Sequence, residues 1–335
     1  MSQDEQDRGR LEVMARDALR HYGVAEPTTL TLLNISENAT YRVADPDTGH
    51  ATVLRVHRPG YHTREAIDSE LAWVRALREA DVVRTAQVVH ATDDARVVVA
   101  RHPDGETRQA VMFEWMPGGE PPSDRLVADF EELGSITARL HRHARTWQPP
   151  AGFVRFRWDF DTSVGQHGHW GRWQDGMGIG PAEADQLGRL AATLRERLGR
   201  YGTDAERFGL IHADMRLANL LVDGPNVAVI DFDDCGFGWF MYDLGSSLSF
   251  IEHDPRVPEM IDSWVAGYRR EQPLSRQDET ELPTFVMLRR LLLVAWIGSH
   301  SATDLAREMG EEFTRVSCDL AEKYLTTFGP TGGGA

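Results

Sequence analysis

Apolar positions in the first third of the chain switch between two periods. Leu11, Met14, Ala15, Ala18 and Leu19 recur every three to four residues, which predicts a helix over residues 8–22 that stops near Gly23. Residues 28–33 and 41–43 read as strands around the polar loop 34–40, and residues 45–49 read as a turn. Residues 51–57 form a further strand with Arg55 inside it. The helical period returns over 64–79, where Ile67, Leu71, Val74 and Leu77 share one face. Glu70 falls on that apolar face and Glu65 nearly opposite. A carboxylate on an apolar face needs a partner, and Arg55 is the nearest upstream cation, so an Arg55–Glu70 pair is expected. Short strands at 82–90 and 96–100 and an apolar strand at 109–115 follow. The Met-Pro-Gly-Gly-Glu-Pro-Pro run at 116–122 then breaks the pattern. It is the expected hinge between a first lobe, 1–116, and a second, 117–330.

The second half is mostly helical in period, over 124–145, 182–200, 258–270, 281–300 and 305–325. His141 and His143 lie two apart on the first of these and point to different sides, which favours structural roles over a metal pair. Residues 147–180 interleave Trp147, Phe153, Phe156, Trp158, Phe160, Trp170 and Trp173 with charges and glycines. Two readings stand for this stretch, an aromatic lid over a small molecule and an irregular packed insertion. Under the first, Trp170 and Trp173 face the acceptor.

Between the helices, the polar loop from His212 to Asn219 runs into an apolar trio, an Asp-Gly-Pro-Asn turn and a second apolar run that ends on Asp231. This predicts a β-hairpin that brings Asp214, Asn219 and Asp231 together. Two carboxylates and an amide oxygen suit a hard divalent cation and a general base. Asp233 and Asp234 at the hairpin's exit either face a cationic or polar acceptor or form a solvated turn. Asp243, before the next helix, is placed to cap it or to brace the polar loop.

Composition narrows the chemistry. With 335 residues, 41% of them hydrophobic, the chain can bury the cores of two lobes. Its net charge of −16 argues against nucleic acid and anionic membranes and is compatible with cationic partners. The single lysine is Lys323, so any phosphate-binding cation of the first lobe is an arginine. Cys235 and Cys318 lack paired or metal-type spacing, the first 20 residues carry no apolar signal, and the longest apolar stretch, 291–297, is too short to span a bilayer. A cytoplasmic protein is expected, with a disordered tail at 331–335.

His212-x-Asp214-x4-Asn219, followed 12 residues after Asn219 by Asp231 within Ile-Asp-Phe, resembles the catalytic loop and metal motif of the aminoglycoside phosphotransferase/choline kinase superfamily, relatives of the eukaryotic protein kinases. The resemblance spans roughly residues 30–325. Ser36-Glu-Asn38-Ala-Thr40-Tyr looks like the nucleotide loop of type II homoserine kinases. Asp231-Phe-Asp233-Asp234 with Tyr242-Asp243-Leu244 looks like the RdoA-type stress-response kinases, and Arg55 in place of lysine resembles choline kinases. No single branch matches throughout.

The resemblance implies an α+β, bilobal protein-kinase-like fold: a small antiparallel sheet with one helix in the first lobe and a mainly α-helical second lobe. It implies ATP and Mg2+ as cofactors. Asp214 would orient or deprotonate the acceptor hydroxyl, Asn219 and Asp231 would hold the metal, and Arg55 braced by Glu70 would contact the α/β-phosphates. Ser36, Asn38 and Thr40 would line the phosphates, and backbone groups at Glu114 and Met116 the adenine edge. His212 would anchor backbone. The expected activity is phosphate transfer from ATP to a hydroxyl of a small molecule: an amino alcohol, an aminoglycoside or homoserine. A Ser/Thr protein kinase and a nucleotide-binding pseudokinase are the alternatives.

Overall fold

The computed structural model describes residues 3–24, 28–35, 38–122 and 125–329; Ser36 and the 331–335 tail lie outside the described residues. Helix α1 (Gln3–His21) precedes strands β1 (Thr29–Ile35), β2 (Ala39–Ala44) and β3 (Ala51–Val56), helix α2 (Arg64–Glu79), and strands β4 (Val88–Val89), β5 (Val98–Arg101) and β6 (Thr107–Glu114). The strands pair antiparallel in the order β1-β2-β3-β6-β4, with β5 also on β6. Strand alternation splits the sheet's side chains between two faces. Tyr41, Leu54, Ala110 and Met112 meet Met14, Ala15, Ala18 and Leu19 of α1 in one core. Val111, on the other face, packs with Ile67 and Leu71 of α2. Helix α2 starts where Thr63 Oγ1 accepts the Ala66 N–H at 3.2 Å.

The later elements are α3 (Leu126–Thr146), β7 (Phe156–Trp158), α4 (Phe160–Ser163), α5 (Pro181–Tyr201), β8 (Phe208–Ile211), the hairpin β9 (Leu220–Asp223) and β10 (Asn226–Val229), β11 (Gly236–Trp239), α6 (Tyr242–Ser247), α7 (Val257–Glu271), α8 (Arg276–Ser299) and α9 (Asp304–Phe328). Helices α3 and α7 pack at close approach because glycine sits where they meet. A Cβ on Gly267 would collide with the Glu131 carbonyl, and one on Gly134 with the carbonyl of Trp264.

The chain forms two compact units that do not follow a single cut after residue 116. The first comprises Met1–Gly119, Gln148–Arg155 and Leu221–Asp233; the second comprises Glu120–Trp147, Phe156–Leu220 and Asp234–Ala335. The hairpin joins the first unit through a parallel bridge from Ala228 to Arg84 and an antiparallel one from Val222 to Gly119.

The second unit is mainly helical, as expected, and within it β7, β11 and β8 form a small mixed sheet, with β7 drawn from the aromatic stretch. These strands are only three or four residues long and β11 reads Gly-Phe-Gly-Trp, too short and glycine-rich to show a period of two. Helix α8 is also apolar along far more than residues 291–297. By length and composition it could cross a membrane, and it is instead mostly buried inside its unit. Cys235 and Cys318 are buried and form no disulfide.

Candidate active site

The candidate residues are distributed over both units. In the first, Arg55 lies on the sheet face turned away from α1, paired across the ladder with Thr40 and Val111. Its Nη2 meets Glu70 Oε1 at 2.6 Å, as the shared helix face of Glu70 and Ile67 required, and both side chains are buried. Arg55 Nη1 lies 3.5 Å from Asp231 Oδ1 and 3.8 Å from Asp233 Oδ1. Asp231 is half exposed and adopts φ 61°, a left-handed conformation that costs a non-glycine residue on the order of 1 kcal/mol or more.

Asp233 is buried within this unit. Its Oδ2 accepts Asn38 Nδ2 at 2.8 Å, and its Oδ1 lies 3.5 Å from His57 Nδ1 and 3.7 Å from His62 Nε2. Its carbonyl accepts from Arg155, which also donates to the Ala66 carbonyl. Phe232 stacks edge-on against Trp73 of α2, so the whole Asp231–Asp233 segment is tied to that helix. Asn38 is equally committed, since its Oδ1 accepts the Arg58 N–H at 2.9 Å. Asn38 and Asp233 therefore pin the segment after β10 to the sheet. At the end of β6 the Glu114 N–H donates to the Gln87 carbonyl, which spends that donor.

Burial alone would raise Asp233, but Arg55 and the neighbouring histidines hold it well below the usual carboxylate range. Burial, aided by Arg55, pushes His57 down to about 3; burial outweighs the pull of Asp233 and puts His62 at about 4. Both histidines are neutral at pH 7. The unfolded chain, with imidazoles near 6.5, takes up protons first as the pH falls. Stability held by the neutral pair is therefore complete above about pH 6.5 and drains below it, at about 1.4 kcal/mol per pH unit for each histidine until about pH 4. Between pH 7 and pH 5 the urea midpoint is expected to fall more for the native chain than for a His57→Asn/His62→Asn variant; equal falls would contradict the assignment.

In the second unit the loop after β8 carries Asp214 and Asn219. Backbone N–H groups of His212 and Ala213 donate to Asp243 at 3.2 and 2.8 Å, and Asp243 Oδ2 also meets His141 Nε2 at 3.0 Å. His141 in turn meets the Tyr268 hydroxyl, so it is a buried structural histidine and Asp243 braces the loop. Ala213 is held at φ 67° directly before Asp214. His212 Nδ1 accepts the Asp214 N–H at 3.3 Å, the backbone role expected of it.

The Asp214 carboxylate is buried among donors. Its Oδ2 accepts Asn219 Nδ2 at 2.9 Å and Arg216 Nε at 3.2 Å; its Oδ1 accepts Arg289 Nη2 at 2.7 Å. Burial pushes the carboxyl up, but Arg216 and Arg289 outweigh it and hold Asp214 below the ordinary value, an anion at neutral pH. Trp170 is buried, with its ring 5.0 Å from the Arg289 guanidinium. Trp173 lines a cavity of about 600 Å³ with Phe160, Val164, Arg172 and Arg195, apart from the Asp214 cluster. Asp234 gives its carbonyl to Trp158 Nε1 at 2.8 Å, and its charge acts on Tyr242 and Arg289 alongside that of Asp214.

Arg289, Arg155, His57 and His62 escaped the sequence reading. A signal was available for the first: Arg289 and Arg290 stand side by side within the apolar run 282–297, where buried cations demand partners.

The oxygen donors of this loop suit a hard divalent cation. Asn219 Nδ2 donates both to the Asp214 carbonyl and to Asp214 Oδ2, which turns the amide oxygen away from these two bonds. Among the described residues no cluster of three or more His, Cys, Asp or Glu side chains could hold a metal alone. Magnesium bound with nucleotide asks for only one or two protein ligands, the phosphates supplying others.

A small antiparallel sheet unit followed by a mainly helical one, carrying this loop and hairpin, is a protein-kinase-like fold. The profile of the phosphotransferase enzyme family matches residues 29–279, and the chain belongs to that family and is a kinase. A microcompartment-associated aminopropanol kinase of known structure is 49% identical and superimposes with a TM-score of 0.88 over 94% of this chain and 98% of its own. Amicoumacin kinase of Bacillus subtilis (strain 168) is 25% identical over 317 residues, 90% of this chain and 88% of its own. The amicoumacin kinase hAmiN, solved with AMP-PNP, Ca2+ and Ami, is 22% identical with a TM-score of 0.77 over 95% of this chain and 96% of its own.

Proposed function

We propose that this kinase transfers the γ-phosphate of ATP to the hydroxyl of a small amino alcohol. The observation that carries this reading is the 49% identity, across nearly the full length of both chains, with an aminopropanol kinase. Two features of the chain agree with a cationic acceptor: the net charge of −16, and Asp234, whose field reaches the aromatic and arginine surroundings of Asp214. Asp234 is accordingly the residue assigned to the acceptor's ammonium group. The protein-acceptor reading finds no support in these relatives, and family membership with Asp214, Asn219 and Asp231 all present leaves the pseudokinase reading without support.

In this reading Asp214 accepts the hydroxyl proton of the acceptor as the new O–P bond forms. As an anion of low basicity it orients the hydroxyl first and takes the proton late, which suits a loose transition state. Arg55, fixed by Glu70, neutralises the α/β-phosphates; its guanidinium keeps its charge at all relevant pH, so the swap from lysine costs no cation. Asn219 and Asp231 hold magnesium, which supplies charge neutralisation on the phosphates when bound. Thr40 lies beside Arg55 on the same sheet face, and the Glu114 carbonyl and Met116 N–H offer the adenine edge its acceptor and donor.

The test is a panel assay with ATP and Mg2+ that follows ADP release and the new phosphomonoester by 31P NMR. 1-Amino-2-propanol and ethanolamine are expected to exceed propane-1,2-diol, homoserine and an aminoglycoside in kcat/KM by at least about tenfold, a floor well below the roughly 10⁴-fold or more by which a site built around a polar group rejects a substrate that lacks it. Equal use of the amine and the diol, or preference for the aminoglycoside, would overturn the amino alcohol reading.

A further inference from the structure

We infer that Arg289 is a positioning residue for phosphoryl transfer: it fixes Oδ1 of Asp214 and thereby makes that oxygen, rather than Oδ2, the one that receives the acceptor's proton. The inference rests on the reading of Asp214 as the base.

A carboxylate oxygen accepts about two hydrogen bonds. Asp214 Oδ2 already has two, from Asn219 and Arg216. Oδ1 has one, the 2.7 Å bond from Arg289, and so retains capacity for one more. An acceptor hydroxyl therefore docks on Oδ1, beside the guanidinium.

The guanidinium is itself immobile. Arg289 rises from α8 with 2% exposure, and its Nε and Nη1 are committed before Asp214 is considered. Nε donates to Ser249 Oγ at 2.8 Å, and Nη1 donates to the Ala213 carbonyl and the Tyr242 hydroxyl, each at 3.2 Å. Trp170 stacks beneath it. The Ala213 contact matters most, because Ala213 is the strained residue that aims Asp214. One side chain thus holds both the backbone that presents the base and the oxygen that reacts. Such a fork cannot be copied by lysine, whose ammonium reaches one or two of these partners.

In the step itself the acceptor O–H proton passes to Asp214 Oδ1, the acceptor oxygen bonds to the γ-phosphorus, and the bond from that phosphorus to the β,γ-bridging oxygen breaks to release ADP. Arg289 keeps its protons throughout.

The experiment compares Arg289→Gln, Arg289→Lys, Asp214→Asn and the double variant Asp214→Asn/Arg289→Gln by steady-state kinetics per folded molecule. Arg289→Gln is expected to lower kcat about a hundredfold, the cost of misplacing a reacting group by about 1 Å, with the KM for ATP changed less than about threefold. Arg289→Lys should recover about a tenth of the native kcat, and the double variant should be no slower than Asp214→Asn alone, as for residues that act as a unit. A merely structural arginine would lower the folded fraction and leave kcat per folded molecule within about threefold; that result overturns the proposal while the function stands. Native-like turnover by Asp214→Asn overturns the base and the proposal together. If the native chain uses none of the amino alcohols, the acceptor reading fails, and the same four proteins still decide the pairing through their unfolding midpoints. Shifts that simply add exclude the Arg289–Asp214 coupling, and a shortfall in the double variant upholds it.

Discussion

Asparagine in place of Asp214 will lower kcat by about a thousandfold, the middle of the range for loss of a positioned general base, while MgATP affinity stays within about threefold. The substitution keeps the shape of a side chain that is only 9% exposed, so the backbone of the loop has no steric reason to move. It removes proton-accepting ability and the charge. It also sets an amide against a ring of donors. Arg289 approaches one oxygen and Asn219 and Arg216 the other, so the new NH2 group must face at least one of them. The nucleotide contacts assigned to Arg55, Glu114 and Met116 do not involve this carboxylate, which is why affinity is spared. ADP release and isothermal titration with a non-hydrolysable ATP analogue separate the two quantities. Retention of more than about a tenth of the native kcat would remove Asp214 from the catalytic role.

The second large effect is on stability. Alanine in place of Glu252 is expected to destabilise the second unit by about 3–5 kcal/mol, the usual result of leaving one member of a buried ion pair alone. Glu252 Oε2 meets Arg290 Nη1 at 2.7 Å, and both side chains are essentially inaccessible. Arg290 further donates to Ser317 Oγ at 2.6 Å and to the Phe313 carbonyl at 3.0 Å, and lies 3.5 Å from the Phe313 ring centre, so it fastens α8 to α9. Burial already pulls the guanidinium's pKa down, and Glu252 is the group that opposes it. Calorimetry should show the melting transition of this unit about 10 °C lower, from ~2–4 °C per kcal/mol at this size. A paired Glu252→Met/Arg290→Met variant should recover most of the loss, because no charge is left unpaired. If the single variant melts within about 2 °C of the native chain, the pair carries little of the stability assigned to it.

The adjacent arginines 289 and 290 therefore do different work from neighbouring positions on one helix. One turns its guanidinium to the base and the other to the terminal helix. Helical geometry separates their side chains by about 100° around the axis, and the environments on the two sides decide the rest.

The pairing of Arg55 on the sheet with Glu70 on α2 was legible in the chain because periodicity is local. Glu70 shares a face with Ile67 and Val74, so its burial and its need for Arg55 followed from spacing alone. The loop and hairpin that carry Asp214, Asn219 and Asp231 were legible for a related reason: the chemistry proposed for them needs those residue types at those intervals. What the spacing did not show is the allocation of the acids after the hairpin. Asp231, Asp233 and Asp234 are near neighbours in sequence, but Asp231 is half exposed beside Arg55 and Asp233 is sealed among Arg55, His57, His62 and Asn38. Asp234 already belongs to the other compact unit. A polar run gives equal pattern weight to each acid; burial does not.

By itself the sequence determined the antiparallel sheet with its α2 brace, the helical remainder and the residue types of a phosphoryl-transfer site. Each of these depends on contacts between residues a few positions apart, or on a motif whose spacing is chemical. Only the tertiary structure decided that Arg289, 75 residues beyond Asp214, closes on its carboxylate, that Asp243 and His141 brace its loop, and that Asn38 serves as a pin. Those partners are chosen by packing between distant segments, where the cost of burying an unpaired charge, rather than any local period, selects who meets whom.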